Sequence, residues 1–296
     1  MIERVIDSRR RDLGGFEVGR VLPFPSRRMV GPFIFLDHVG PARFEPGGGI
    51  DVRPHPHIGL STLTYLFEGE ILHRDNLGYT QTIKPGEVNW MTAGKGIVHS
   101  ERTEPSLRAT GQAMHGMQAW VALPREEEEI DPGFWHHEEE DLPTYESGGL
   151  WARLVAGSAY GATATVKTHS PLFYVHWELQ PGTVASPPAD YAEAAAFVAH
   201  GQVEIDGQII NEGQMAVFAP GPRPTVKAIT QATVMLLGGD PIGQRYIWWN
   251  LVSSSVDRLE QAKADWAAGR FSLPPDDNQD FIPLPNDPMP KPEPMS

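Results

Sequence analysis

Apolar residues come in short bursts along this chain, not in long stripes. The runs 58–67, 88–91, 117–123, 163–169, 173–179, 197–205, 215–218 and 233–237 are apolar or alternating and rich in Val, Ile, Thr and aromatics. Gly (30 residues) and Pro (28 residues) punctuate the chain between them. Strand-length bursts bounded by turn formers predict an all-β fold, a sandwich or a barrel. One segment reads differently. In 256–268, Val256, Leu259, Ala262 and Trp266 share a helical face, Ser253, Ser254 and Ser255 offer N-caps, and Gly269 offers a stop.

The punctuation also repeats. GEIL (69–72) followed by PGEVNWMTAG (85–94) is echoed by GQVEIDG (201–207) followed by EGQMAVFAPG (212–221). Both copies read strand, turn, strand, Gly-rich turn, which predicts two similar β-domains in one chain. Residues 124–147 have no sustained periodicity and contain three prolines, so they read as a linker. The eight prolines of 274–296 predict a tail that runs extended over the surface or frays.

The formal charge of −14 changes this picture little, because it is concentrated. Residues 126–141 carry −9 and residues 274–296 carry −4, leaving about −1 for the body. No basic face for direct nucleic-acid binding is evident. The absence of cysteine removes disulfides, thiolate metal sites and Cys nucleophiles together. No apolar run has signal-peptide or membrane-helix length. The expectation is a cytoplasmic, soluble monomer without membrane contact. Walker A, GxGxxG, HExxH and GxSxG strings are absent.

Histidine carries the candidate chemistry. His55-Pro56-His57 and His99-Ser100-Glu101 are two i, i+2 pairs. On a strand, i and i+2 point to one face. Two neighbouring strands would thus offer three imidazoles and one carboxylate to a common centre. That set suits Fe(II), Mn(II), Ni(II), Cu(II) or Zn(II). Pro56 cannot donate to a ladder, which places its segment at an edge or a strand start. His73-Arg74-Asp75 either supports such a site or is a polar cluster at a strand end. His115 reads as a structural histidine, His136-His137 as part of the solvated linker, and Trp248-Trp249 as packing.

The spacing resembles the two cupin motifs. In G(X)5HXH(X)4E(X)6G, the chain places Gly49, His55, His57 and Gly69, with Thr62 where the motif has its metal-binding Glu. In G(X)5PXG(X)2H(X)3N, Gly86 and Gly94 fit, Thr92 replaces Pro, and His99 comes two residues late, with Glu101 just beyond. This movement of the carboxylate is similar to the pirin family, whose metal is held by HxH and HxE. GPFIFLDHVGPARF (31–44), HPHIGLSTLTYLFEGEILHRDNLG (55–78), PGEVNWMTAGKGIVHSE (85–101) and MQAWVALP (117–124) resemble pirins as well. The stretch RYIWWNLVSSS (245–255), with AKADWAAGRF further on, resembles the bacterial branch.

The resemblance implies tandem cupin barrels. They would comprise a metal-binding cupin at 1–125, an acidic linker at 126–147, a second cupin at 148–245, and a C-terminal helix with a Pro-rich tail at 246–296. In the second cupin the HxH places fall on Pro188 and Asp190 and the Glu place on Ala195. No His follows Gly213 before residue 250, so no metal is expected there. The resemblance further implies one divalent transition metal, Fe(II) first, held by His55, His57, His99 and Glu101. It implies a quercetin 2,3-dioxygenase activity on a planar flavonol-like substrate and O2, with Glu101 as base, ligand or both. The alternative it offers is a regulatory protein without enzymatic activity, acting through a protein partner under control of the metal's redox state.

Overall fold

The computed structural model describes residues 1–13 and 16–286; the last ten residues of the Pro-rich tail lie outside it. Strands dominate, and among the described residues the α-helices are Pro105–Thr110 and Val256–Ala267. Among them no helix is long and apolar enough to cross a membrane.

Contacts group the chain into two compact units, neither continuous in sequence. One holds Met1–Arg10, Gly19–His38 and His137–Pro241, and the other holds Arg11–Val18, Val39–His136 and the chain from Ile242 onward. Each unit thus takes in the far terminus of the chain. In the first, Ile2–Asp7 pairs antiparallel with Gln214–Phe218 and buries Ile6 completely. In the second, Arg245 (2% exposed) pairs with Glu128 at 2.9 Å and donates to the Leu123 carbonyl. Glu128 also accepts from the Ser254 amide at 2.8 Å and the Ser253 hydroxyl at 3.1 Å.

The unit around 39–136 is built from two sheets. One runs Asp51–His57, Ile97–Arg102, Ile71–Asp75, Thr80–Ile83, all antiparallel. The other runs Gly133–His137, Val88–Thr92, Leu60–Glu68, Gln112–Ala122 and then Phe33–Phe44. The unit around 137–241 follows the same plan. Gln214–Phe218 pairs with Glu193–His200, and that strand with Ala232–Gly239, as Val88–Thr92 pairs with Leu60–Glu68 and that strand with Gln112–Ala122. The predicted repeat is therefore a repeat of pairing.

The copies differ at one place. The counterparts of Asp51–His57 and Ile97–Arg102 are the stubs Val184–Ala185 and Val226–Ala228. They hold neither histidine nor carboxylate.

The predicted helix forms over Val256–Ala267. Ser255 Oγ accepts from the Arg258 amide, and Gly269 at φ +67° follows its end. Leu259, Ala262 and Trp266 are its buried face, while Val256 stays half-buried. Other local readings need correction. Of the run 163–169 only Thr163 is in a strand, the two-residue Ala162–Thr163; Ala164 and Val166 reach the core from a loop. The acidic stretch is not a bare linker. Gly133–His137 adds an edge strand beside Val88–Thr92, and Glu128 is buried in its ion pair. Its acids hid this, because a partner distant in sequence neutralises Glu128 and a neighbouring strand supplies the ladder.

Candidate metal centre

Asp51–His57 and Ile97–Arg102 lie side by side with His55 opposite His99 and His57 opposite Ile97. The pleat sends His55 and His57 to the same face, so three imidazoles converge. Ring centroids are 4.4 Å (His55–His99), 5.0 Å (His57–His99) and 5.0 Å (His55–His57) apart. One ring nitrogen of each lies within 4.8 Å of the other two. All three residues are buried, between 1% and 6% exposed.

Each ring has one nitrogen committed, which decides what the other offers. His55 Nδ1–H donates to the Arg53 carbonyl and His57 Nδ1–H to the Asn250 carbonyl, both at 2.9 Å. The tautomer of His99 is set by a relay. His73 Nε2–H donates to Asp75 Oδ2 at 3.0 Å, leaving His73 Nδ1 as an acceptor 3.4 Å from His99 Nδ1. Asp75 is itself anchored, since its Oδ1 accepts from the Leu77 and Tyr79 amides. All three Nε2 atoms are thereby bare lone-pair donors, the arrangement in which outer hydrogen bonds orient metal-binding histidines. His57 Nε2 and His99 Nε2 stand 3.1 Å apart. Two lone pairs so close repel unless a cation lies between them, so the donor set fits a divalent transition metal.

Burial pushes the His55 imidazole down to about 4, offset in part by its bond to Arg53, with repulsion from His73 adding. Burial also holds His57 and His99 well below the usual range, with repulsion among the rings contributing. The rings are neutral at pH 7 and ready to ligate. Glu101 opposes His73 across the next strand pair. The residue is half-buried as a whole, but burial pushes its carboxyl up to about 7. Its oxygens are not part of the group that closes within 4.8 Å.

Several contributors leave no mark in the motifs. Phe134, from the acidic stretch, stacks on His73 at 4.3 Å and 14°. Trp120 meets His57 edge-on at 5.0 Å. Asn250 acts through its backbone. The tail also reaches the ligand strands. Arg102 binds Asp277 at 2.6 Å and Asp280 at 2.8 Å, and the Ile282 amide donates to the Pro54 carbonyl at 2.9 Å. The described part of the tail is therefore pinned, not frayed. Alternation in His73-Arg74-Asp75 was the one legible signal of the relay.

The remaining candidates lie elsewhere. His115 packs on Phe67 at 4.7 Å. His136 Nδ1 meets Asn89 Oδ1 at 2.7 Å, and His137 meets Thr165. Trp248 packs with Leu259 and Ala262, with Trp249 against them.

Comparison with known proteins agrees with this fold. A family model described as Pirin matches residues 15–121, and one described as Pirin C-terminal cupin domain matches residues 174–272. A pirin-like protein of Caulobacter vibrioides is 66% identical over 288 residues, covering 96% of this chain and 100% of that one. The crystal structure of a quercetin 2,3-dioxygenase from Acinetobacter baumannii superimposes with TM-score 0.92 at 33% identity, covering 99% of this chain and 98% of the other. A bacterial pirin from Escherichia coli in complex with nickel(II) gives TM-score 0.65 at 21% identity, with coverage of 81% and 100%, a likeness of fold.

Proposed function

The chain belongs to the pirin family, and we propose on that premise that its three-histidine centre holds a divalent metal and serves a dioxygenase that opens flavonols such as quercetin with O2. The observation that carries this reading is the trio of bare Nε2 atoms, each left bare by what its own Nδ1 does. The likeness to the quercetin 2,3-dioxygenase of A. baumannii supports the reaction class.

His55, His57 and His99 hold the metal, with Fe(II) the first choice and Zn, Mn, Ni or Cu compatible with the same donors. When bound, the metal supplies Lewis acidity that lowers the pKa of a substrate hydroxyl, and a centre at which an electron-rich anion can meet O2. The chain's own residues do the rest. Three neutral imidazoles leave the charge of the cation undiminished. Trp120 packs edge-on against His57 and Phe134 stacks on His73, and both histidines are almost fully buried. Glu101 is the base. Burial raises this carboxyl and a bound cation would draw it back down, so as a carboxylate at neutral pH it can take the proton of the flavonol 3-hydroxyl and later return it.

The test is anaerobic purification with elemental analysis, then O2 uptake and carbon monoxide release with quercetin. Expected are roughly one metal per chain, metal-dependent uptake, and loss of both metal and uptake in His57→Ala. Glu101→Gln should retain metal while turnover falls at least about 100-fold. Bound metal with no O2 uptake would sink the dioxygenase reading, and a comparison of partners bound by reduced and oxidised protein would follow.

A further inference from the structure

The unit around 137–241 keeps the barrel plan without the ligands, and it holds a hollow of about 550 Å³. That volume is within the range of small-molecule sites. Its walls include Ala152 and Leu154 from Leu150–Ala159, Val175 from Leu172–Leu179, and Ala185 from the stub that stands where the other unit has its HxH strand. These four also belong to the apolar core of this unit, so the hollow opens into the barrel interior. None of the residues lining it is charged.

Tyr160, at the mouth, has a backbone conformation that L-residues avoid. Ala159 pairs with Ala162, so Tyr160 and Gly161 form a two-residue hairpin turn, at φ +54° and +78°. Asn, Asp or Gly ordinarily fills the first place of such a turn. A bulky side chain there is strained, and strain of this kind concentrates at ligand sites. The ring lines the hollow, and its hydroxyl donates to the Ser186 carbonyl at 3.1 Å. The fully buried indole N–H of Trp177, two residues along the same strand from Val175 and so on its face, has no hydrogen-bond partner. Tyr145, 54% exposed, offers a second ring at the rim.

We propose that this hollow is a metal-free binding site for a neutral aromatic molecule of one or two rings carrying a hydroxyl or carbonyl oxygen. The alanine, valine and leucine walls take the ring. The oxygen accepts from the Trp177 N–H and meets the Tyr160 hydroxyl. An anion is disfavoured, because a buried carboxylate would find no charged partner there.

The test uses the metal-loaded full chain, with 2-naphthol as probe and 2-naphthoate as its charged analogue. Binding is followed by calorimetry and by saturation-transfer NMR. One equivalent of 2-naphthol should bind the native chain and His57→Ala equally well, and 2-naphthoate roughly tenfold or more weakly. Ala185→Leu, which fills the hollow, should weaken 2-naphthol by about tenfold or more. Tyr160→Asn suits the turn better than tyrosine, so it should raise or preserve the melting temperature while lowering affinity. It tests the site even if Ala185→Leu fails to fold. Absence of 2-naphthol binding at millimolar concentration would overturn the proposal. So would binding lost in His57→Ala, or binding undiminished in Tyr160→Asn.

Discussion

At the scale of single residues, His99 presents Nε2 to the centre because its Nδ1–H goes to His73, and His73 can accept it because its own Nε2–H goes to Asp75. Two residues outside the ligand set thus fix which nitrogen of a third is free. Asp75→Asn breaks this logic while keeping the shape, since an amide that donates to His73 Nε2 moves the His73 proton to Nδ1. His99 must then give up its own Nδ1 proton and carry it on Nε2, where the lone pair was. Metal affinity should fall about 10- to 100-fold with the three ligands intact, measured by competition against a chelator. Unchanged affinity would mean that the relay does not set the tautomer. The convergence of His55, His57 and His99 was legible, because i, i+2 spacing on a strand needs little more than the pleat; Glu101, expected beside them, stays outside that cluster. The Asn250 carbonyl was not legible, because a backbone acceptor has no residue signature.

At the scale of elements, Asp51–His57 and Ile97–Arg102 are tied to a segment far along the chain. Arg102 follows Glu101 directly and is held by Asp277 and Asp280, while Ile282 ties to Pro54, the residue before His55. Trp266 in the helix donates to the Ile282 carbonyl at 3.0 Å and so links helix, tail and ligand strand. Arg102→Ala should release the tail at a stability cost of about 1 kcal/mol, the upper range for a partly exposed ion pair. Limited proteolysis should then cut within 271–286 well before the rest, and metal should exchange faster. Equal protease resistance in variant and native chains would mean the ion pairs add nothing. Composition alone left open whether the tail runs extended over the surface or frays; Asp277 and Asp280 become anchors only once Arg102 is placed beside them.

At the scale of the whole molecule, the chain exchanges its ends. Residues 1–10 complete the unit around 137–241, and the chain from Ile242 completes the unit with the histidines. The buried Glu128–Arg245 pair fastens the second of these returns. Glu128→Ala leaves a guanidinium 2% exposed without its carboxylate, and breaking such a pair costs about 3–5 kcal/mol. Equilibrium denaturation should register that loss; a change below about 1 kcal/mol would show that Leu123 and Gln244, whose carbonyls also accept from Arg245, suffice to hold it. By itself the sequence determined the all-β class, the twofold repeat, the terminal helix and the strand-borne HxH and HxE pairs. These are local properties, written in period, punctuation and spacing. Only the tertiary structure decided that residues 133–137 within the acidic stretch form a strand, that Asp75 and His73 line up behind His99, that the termini change units and that the unit around 137–241 holds a hollow. Each of these depends on a partner tens to hundreds of residues away, and one chain read in order carries no record of which distant groups meet.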